Sequence, residues 1–154
     1  MKEKNNSAKK CVCLIIETLD GWVLQKRENK DGIWTPGKTS HWGGVFEPED
    51  DDNPRAAALR ELKEETTLEE ESVTIDQFLV EEYSTTTINA EQATFTCYCY
   101  LVKILDSSHI FVHEGDGSVL ISFDENLDDP ALNLSPFTRH LLFVLRSKRY
   151  EDPA

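Results

Sequence analysis

Apolar and polar positions fall into short blocks along the chain, and the spacing inside each block predicts its structure. Cys11–Glu17 and Trp22–Arg27 are largely apolar runs separated by Leu19-Asp20-Gly21. Glycine tolerates positive φ, so Asp-Gly between two such runs predicts a β-hairpin. A loop over Glu28–Ser40 follows, broken by Asp31-Gly32 and Pro36-Gly37. Trp42–Glu47 reads as a short strand carrying the pair Gly43-Gly44, and Pro48–Asn53 as an acidic turn. From Pro54 to Leu68 the period changes, and Ala56, Leu59, Leu62 and Thr66 recur on one side of a helix of 3.6 residues per turn. Asp52 or Asn53 stands where a cap is needed. Pro54 suits the first helical position, whose N–H has no intrahelical partner to lose. Val73–Thr87, Ala93–Leu105, Ile110–His113 and Val119–Phe123, rich in β-branched and aromatic residues, predict further strands. A last helix runs from Pro136 to Tyr150, capped by Ser135, with Phe137, Leu141, Val144 and Leu145 as its apolar stripe. The order is strands, helix, strands, helix. It predicts an α+β fold, an α/β/α sandwich around a mixed sheet, with residues 1–9 a frayed or disordered tail and 10–150 a single domain.

Composition narrows the function classes. The 154 residues, 39% hydrophobic and 29% charged, suit one soluble domain. No apolar run approaches the roughly 20 residues that cross a bilayer, and Met1–Asn6 lacks the apolar core of a signal peptide. The expectation is a cytoplasmic protein without a membrane partner. A net charge of −13 argues against an extended nucleic-acid surface, which needs a basic patch. The acids are concentrated: eleven Asp or Glu stand between Glu47 and Glu71 against three Arg or Lys. Such a run is either a solvated face or a set of hard oxygen ligands for divalent cations. The four cysteines pair as Cys11-Val12-Cys13 and Cys97-Tyr98-Cys99, each inside a strand-like run, so both members of a pair face one side. They lack the C-x-x-C form of common zinc sites and are expected to pack as buried thiols rather than disulfides.

Spacing separates the two readings of the acids. At 100° per residue, Glu61, Glu64 and Glu65 lie about 200°, 140° and 240° from Leu59, on one face opposite the expected apolar stripe. Three like charges on one face are unfavourable without a positive partner. Arg60, four residues from Glu64, supplies one; bound Mg2+ or Mn2+ would supply the rest.

These residues carry a resemblance. Gly43-Gly44-Val45-Phe46-Glu47, a loop, and then Arg60-Glu61-Leu62-Lys63-Glu64-Glu65 with Leu68 beyond resemble the Nudix box, G-x5-E-x7-R-E-U-x-E-E-x-G-U, where U is bulky and aliphatic. Gln25-Lys26-Arg27, the lead-in Trp34…Pro36-Gly37…Trp42, and Glu114-Gly115-Asp116-Gly117 before Phe123 are similar to the same family. The resemblance implies a Nudix-type sandwich that hydrolyses a nucleoside diphosphate linked to another moiety, by water attack on phosphorus with Mg2+ or Mn2+ as cofactor. It implies Glu61, Glu64 and Glu65 as catalytic and metal-binding acids, with Arg60 steering them. Gly44 would add its carbonyl as a ligand, and Glu114 would act as general base or further ligand. Arg27 and Lys38 are candidates for substrate phosphate, and His41 and His113 for the same role. Trp34 and Trp42 either stack on a base or pack in the core.

Two departures stand out. The gap from Gly44 to Arg60 is two residues longer than the box prescribes, so Asp50 or Asp52 fills its first acid position. Thr67 replaces the closing glycine, which would normally end the helix in a left-handed conformation. The helix is therefore expected to run on into Leu68–Glu71. Two other functions compete: a Nudix-fold protein that binds a nucleotide or regulates without turnover, and an acidic cation-binding module at Glu49–Asp52. Nucleoside triphosphates, nucleotide sugars and dinucleoside polyphosphates all remain open as substrates, with Tyr83 near the position of a dinucleoside-polyphosphate marker. A homodimer is equally open.

Overall fold

Strand β1 (Lys9–Glu17) organises the molecule, because its side chains alternate between two separate cores. Val12, Leu14 and Ile16 enter one; Cys13 and Ile15 enter the other, with Cys11 at its rim. A strand covered on both faces must be apolar at successive positions, which accounts for the unbroken run Cys11–Ile16. The computed structural model describes residues 9–27, 37–86, 92–104 and 117–151. The other strands are β2 (Trp22–Lys26), β3 (Thr39–Ser40), β4 (Trp42–Val45), β5 (Val73–Thr86), β6 (Gln92–Ile104) and β7 (Ser118–Ile121). The helices are α1 (Pro54–Glu65) and α2 (Pro136–Glu151).

The sheet order is β3-β2-β1-β6-β5. β6 runs parallel to β1 from Lys9↔Phe95 to Glu17↔Lys103, and β5 is antiparallel to β6. The other edge of β1 is shared: β4 pairs with Cys11–Leu14 and β2 with Ile16 and Glu17. β7 extends the sheet beside β2. Helix α1 covers the face of Val12, Leu14, Tyr100 and Val102, while α2 places Phe137, Leu141, Leu142 and Leu145 on the face of Cys13, Ile15, Trp22 and Cys99. This is the expected mixed-sheet sandwich.

Several boundaries differ from the sequence pattern. β1 begins at Lys9, so the last residue assigned to the polar tail is strand, held by pairing with Phe95. β3 is too short to show a period and exists through its pairing with β2. The strand at Trp42 stops at Val45, and the last strand is Ser118–Ile121. The strand expected at Ile110–His113 lies outside the described residues. Trp42 belongs to the core: it is fully buried, and its Nε1 donates to the Val23 carbonyl at 2.9 Å. Among the described residues no helix is long and apolar enough to cross a membrane.

Helix α1 ends at Glu65 instead of continuing to Leu68–Glu71. Thr66 leaves the helix with φ −136° and ψ 175°. Its buried Oγ1 donates to the Leu62 carbonyl at 2.7 Å and accepts from the Leu68 N–H at 3.1 Å. That hydroxyl does the work of a left-handed glycine, so its absence lengthens nothing. Glu70–Ser72 forms a separate 3-10 turn.

Candidate functional site

The acidic site is built where α1 crosses β4. Asn53 caps the helix, its side chain accepting from Arg55 N at 3.0 Å and Ala56 N at 3.2 Å. The residues buried along α1 are Ala57, Ala58, Glu61, Leu62 and Glu65. This corrects the expectation that all three glutamates lie opposite the buried side. Leu59 is only half-buried, and at 100° per residue Glu65 falls about 20° from Ala58, inside the buried stripe. Glu64 alone of the three is exposed.

Glycine makes this rotation possible. A Cβ on Gly44 would stand 2.5 Å from Glu61 Oε1, so the carboxylate occupies the space a side chain would fill. Gly43 has φ +128°, and a Cβ there would collide with the Val12 carbonyl. Its N–H donates to Glu65 Oε2 at 2.9 Å, which fixes the second carboxylate against the strand. The Gly-Gly pair is thus the floor on which two buried acids rest.

Arg60 joins the acids into one network. Its Nε and Nη2 donate to the two Asp50 oxygens at 2.8 and 2.9 Å, and its Nη1 donates to Glu61 Oε1 and Glu64 Oε2, both at 3.0 Å. Nη2 also reaches the Val45 carbonyl at 3.2 Å, and Glu47 lies 3.6 Å from Nη1. Four carboxylates therefore surround one guanidinium. The hydrogen bond from Arg60 holds the buried Asp50 carboxyl below its usual range, and the same pair holds the guanidinium firmly charged. Glu47 moves the other way, raised chiefly by sharing a hydrogen bond with Glu49.

The loop decides between the two candidate acids. After a 3-10 turn at Pro48–Asp50, Asp51 and Asp52 adopt left-handed conformations with φ 51° and 57°. Asp tolerates that region better than most residues, which suits the extra loop residues to being acids. The reversal turns Asp50 inward to Arg60 and Asp52 outward to Lys10, at 2.8 Å.

On the opposite face of β4 lies a cavity of about 230 Å³. Its walls include the Gly43–Val45 backbone, Cys11, Cys13 and Cys97, Arg27 and His41, and the aromatic rings of Tyr83, Phe95 and Phe137. Tyr83 and Phe137 stand with centroids 4.8 Å apart. Arg27 Nε is buried and finds no acceptor among the described residues. His41 is held by Thr138, whose Oγ1 accepts from the His41 N–H at 2.9 Å and from the Ser135 hydroxyl at 2.6 Å. The one hydroxyl proton is then left for His41 Nδ1, 2.8 Å away, so the ring is the neutral Nε2–H tautomer. Burial pushes its pKa down to about 4, in keeping with that assignment.

The structure brings together Arg60, Glu61, Glu64, Glu65 and Gly44 at the acidic site. Arg27 faces the cavity, whereas Lys38 is exposed and donates to Asn133 Oδ1 at 3.0 Å. Glu114, His113 and Trp34 lie outside the described residues. The thiol cluster and the aromatic wall were not foreseen as a site. The thiols' signal in the sequence is the alternation that puts Cys11 with Cys13, and Cys97 with Cys99, on one side of each strand; that the two pairs meet is set by the β1–β6 register.

Comparison with known proteins adds a second line of evidence. The family model described as NUDIX domain matches residues 8–142. A search of curated proteins finds no match. Among solved structures, an Ap4A hydrolase of C. elegans in a binary complex superposes with a TM-score of 0.71 at 17% identity, covering 94% of this chain and all of that one. The E. coli dihydroneopterin triphosphate pyrophosphohydrolase gives 0.67 at 18% identity, covering 90% and 97%. The E. coli ORF135 protein gives 0.65 at 25% identity, covering 99% of both chains.

Proposed function

We propose that this chain, which belongs to the Nudix hydrolase family over residues 8–142, cleaves a diphosphate bond in a nucleotide-type substrate by water attack on phosphorus. The observation that carries the reading is the clustering of Glu61, Glu64 and Glu65 around the Gly43-Gly44 backbone, organised by Arg60. The donor set fits a hard divalent cation, Mg2+ or Mn2+. Its oxygens are carboxylates, it carries more negative charge than Arg60 neutralises, and the lack of a Cβ at Gly44 lets the Glu61 carboxylate lie against the β4 backbone. Glu61, Glu64 and Glu65, with the Gly44 carbonyl, would hold the cation. When bound, the metal supplies charge neutralisation at the diphosphate and acidifies water.

The chain's own residues do the remaining work. Arg60 holds Glu61 and Glu64 in fixed positions. The Gly43 N–H fixes Glu65. Arg27, whose Nε has no acceptor among the described residues, is suited to an anionic group of the substrate. The Tyr83–Phe137 pair offers flat apolar surface for a planar ring. A cavity of about 230 Å³ is smaller than ordinary whole-ligand pockets. It takes one moiety, and the diphosphate then passes around β4, which pairs only with β1 among the described strands. Glu114 remains our candidate for general base or an additional ligand. The four thiols are free, as suits a cytoplasmic setting.

The test is release of cleaved nucleotide products, read by anion-exchange chromatography, from nucleoside triphosphates, nucleotide sugars and dinucleoside polyphosphates, Ap4A included, with and without Mg2+ or Mn2+. Turnover is expected only with metal. Glu64→Gln, at an exposed position that leaves folding intact, is expected to lower kcat at least about a hundredfold, the scale of losing a group that acts in the transition state. Absence of release from every substrate with saturating metal would leave a nucleotide-binding protein without turnover as the surviving reading.

A further inference from the structure

The cavity contains a group of side chains that diphosphate hydrolysis does not use. Cys11 and Cys13 project from the same face of β1, and the parallel register sets Cys97 of β6 directly beside Cys11. Cys11 Sγ and Cys97 Sγ are 3.1 Å apart, and the sulfurs of Cys11, Cys13 and Cys97 all lie within 4.8 Å of one another. We propose that these three thiols form a second metal site, at the floor of the cavity, for a thiophilic d10 cation such as Zn2+ or Cu+.

The geometry is close to what such an ion requires. Zn–S bonds of about 2.3 Å, in trigonal or tetrahedral arrangement, separate the sulfurs by roughly 3.8–4.0 Å. The Cys11–Cys97 separation of 3.1 Å is shorter than that spacing and every pair lies within 4.8 Å, so rotamer adjustments of about an ångström within the cluster suffice. The ligand backbones are fixed by the β1–β6 ladder, the longest parallel pairing in the sheet, so the site is preorganised. Cys11 is only half-buried and faces the cavity, which gives the ion an entry path and leaves its fourth position open to solvent or to a ligand in the cavity. Three protein ligands with one open position is the arrangement of reactive rather than structural zinc.

The three thiols share hydrogen bonds that lower Cys97 and raise Cys11 and Cys13, so the free cluster favours one thiolate and the ion must displace the other two protons. Arg27 lines the same cavity. Cys99 is excluded: it is fully buried and its Sγ turns to the Cys97 carbonyl at 3.7 Å. Soft thiolates and hard carboxylates select different ions, so the two sites, on opposite faces of β4, would not compete.

The experiment titrates the fully reduced protein with Cd2+ in saturating Mg2+ and follows the thiolate-to-metal charge-transfer absorption in the ultraviolet. The band should saturate at one Cd2+ per chain, persist in Cys99→Ala and vanish in Cys97→Ala, with circular dichroism verifying that both variants are folded. A second measurement needs no variant. Iodoacetamide alkylation of Cys11, read by mass spectrometry, should slow by about tenfold with Zn2+ at roughly ten times its dissociation constant, because only the metal-free fraction reacts. No stoichiometric band, a band that survives Cys97→Ala, a band lost in folded Cys99→Ala, or alkylation indifferent to Zn2+ would each overturn the site. These readouts are binding readouts, so they stand or fall separately from hydrolysis.

Discussion

Arg60 is the side chain whose removal should disturb this molecule most. It is 12% exposed and faces Asp50 and Glu61, which are 2% and 9% exposed, so these charges are largely desolvated. Arg60→Ala would leave two buried carboxylates without their cation, which costs about 3–5 kcal/mol. Urea unfolding would show this as a lowered midpoint at unchanged slope. Arg60→Lys should recover only part, since an ammonium cannot make the paired Nε and Nη2 contacts with Asp50. An Arg60→Ala variant as stable as the parent would mean that water already shields the cluster. At this scale the sequence exposed much of the site: the order Arg-Glu-Leu-Lys-Glu-Glu places the acids within one turn of each other by helical rotation alone. It could not choose between Asp50 and Asp52. That choice depends on two consecutive left-handed residues, Asp51 and Asp52, whose dihedrals no spacing rule reports.

Helix α1 holds its glutamates beside β4 while departing from its expected boundaries. Periodicity and the cap at Asn53 located its start. Spacing does not locate its end, because the stop signal here is not the glycine that position 67 lacks. Thr66 supplies the stop with a side chain that bonds the helix it leaves, an alternative that depends on the rotamer and on burial. Thr66→Ala should therefore destabilise the protein by about 1–3 kcal/mol, the cost of leaving the buried Leu68 N–H without its acceptor. Thr67→Gly, which restores the family's usual residue, should bring no gain, since position 67 is not left-handed here. Thermal melts of the two variants distinguish these outcomes, and a Tm raised by Thr67→Gly would contradict this account of the helix end. The buried rotation of Glu61 and Glu65 was equally hidden. The apolar stripe alone placed them on the wet side, and only the side-chain-free floor of β4 makes their burial possible.

For the whole molecule, acid should act through two groups with separable windows. His41 is half-buried at the cavity wall and neutral, with a folded pKa of about 4 against an ordinary value of 6.5. The unfolded chain therefore binds the proton first as pH falls. The stability that depends on neutral His41 is complete above about pH 6.5 and declines as pH drops toward 4. Asp50, held below its ordinary 3.8 by Arg60, adds a loss at still lower pH, as it becomes protonated. Denaturant midpoints measured between pH 7 and 4 should fall. His41→Asn, which keeps an acceptor for Thr138 but does not titrate, should flatten that decline; an unchanged slope would assign it to other groups. What the sequence by itself determined is local. It set the strand runs, the two helices, the mixed sandwich they imply, and the helical spacing of Arg60, Glu61, Glu64 and Glu65, because each follows from a period of two or 3.6 within one segment. What only the tertiary structure decided is which distant segments meet. The parallel register of β1 and β6 set Cys11 beside Cys97, β4 laid Gly43 and Gly44 under Glu61 and Glu65, and Thr138 reached His41 across the chain. Such meetings depend on strand register and loop dihedrals, and residue spacing within one segment carries no information about either.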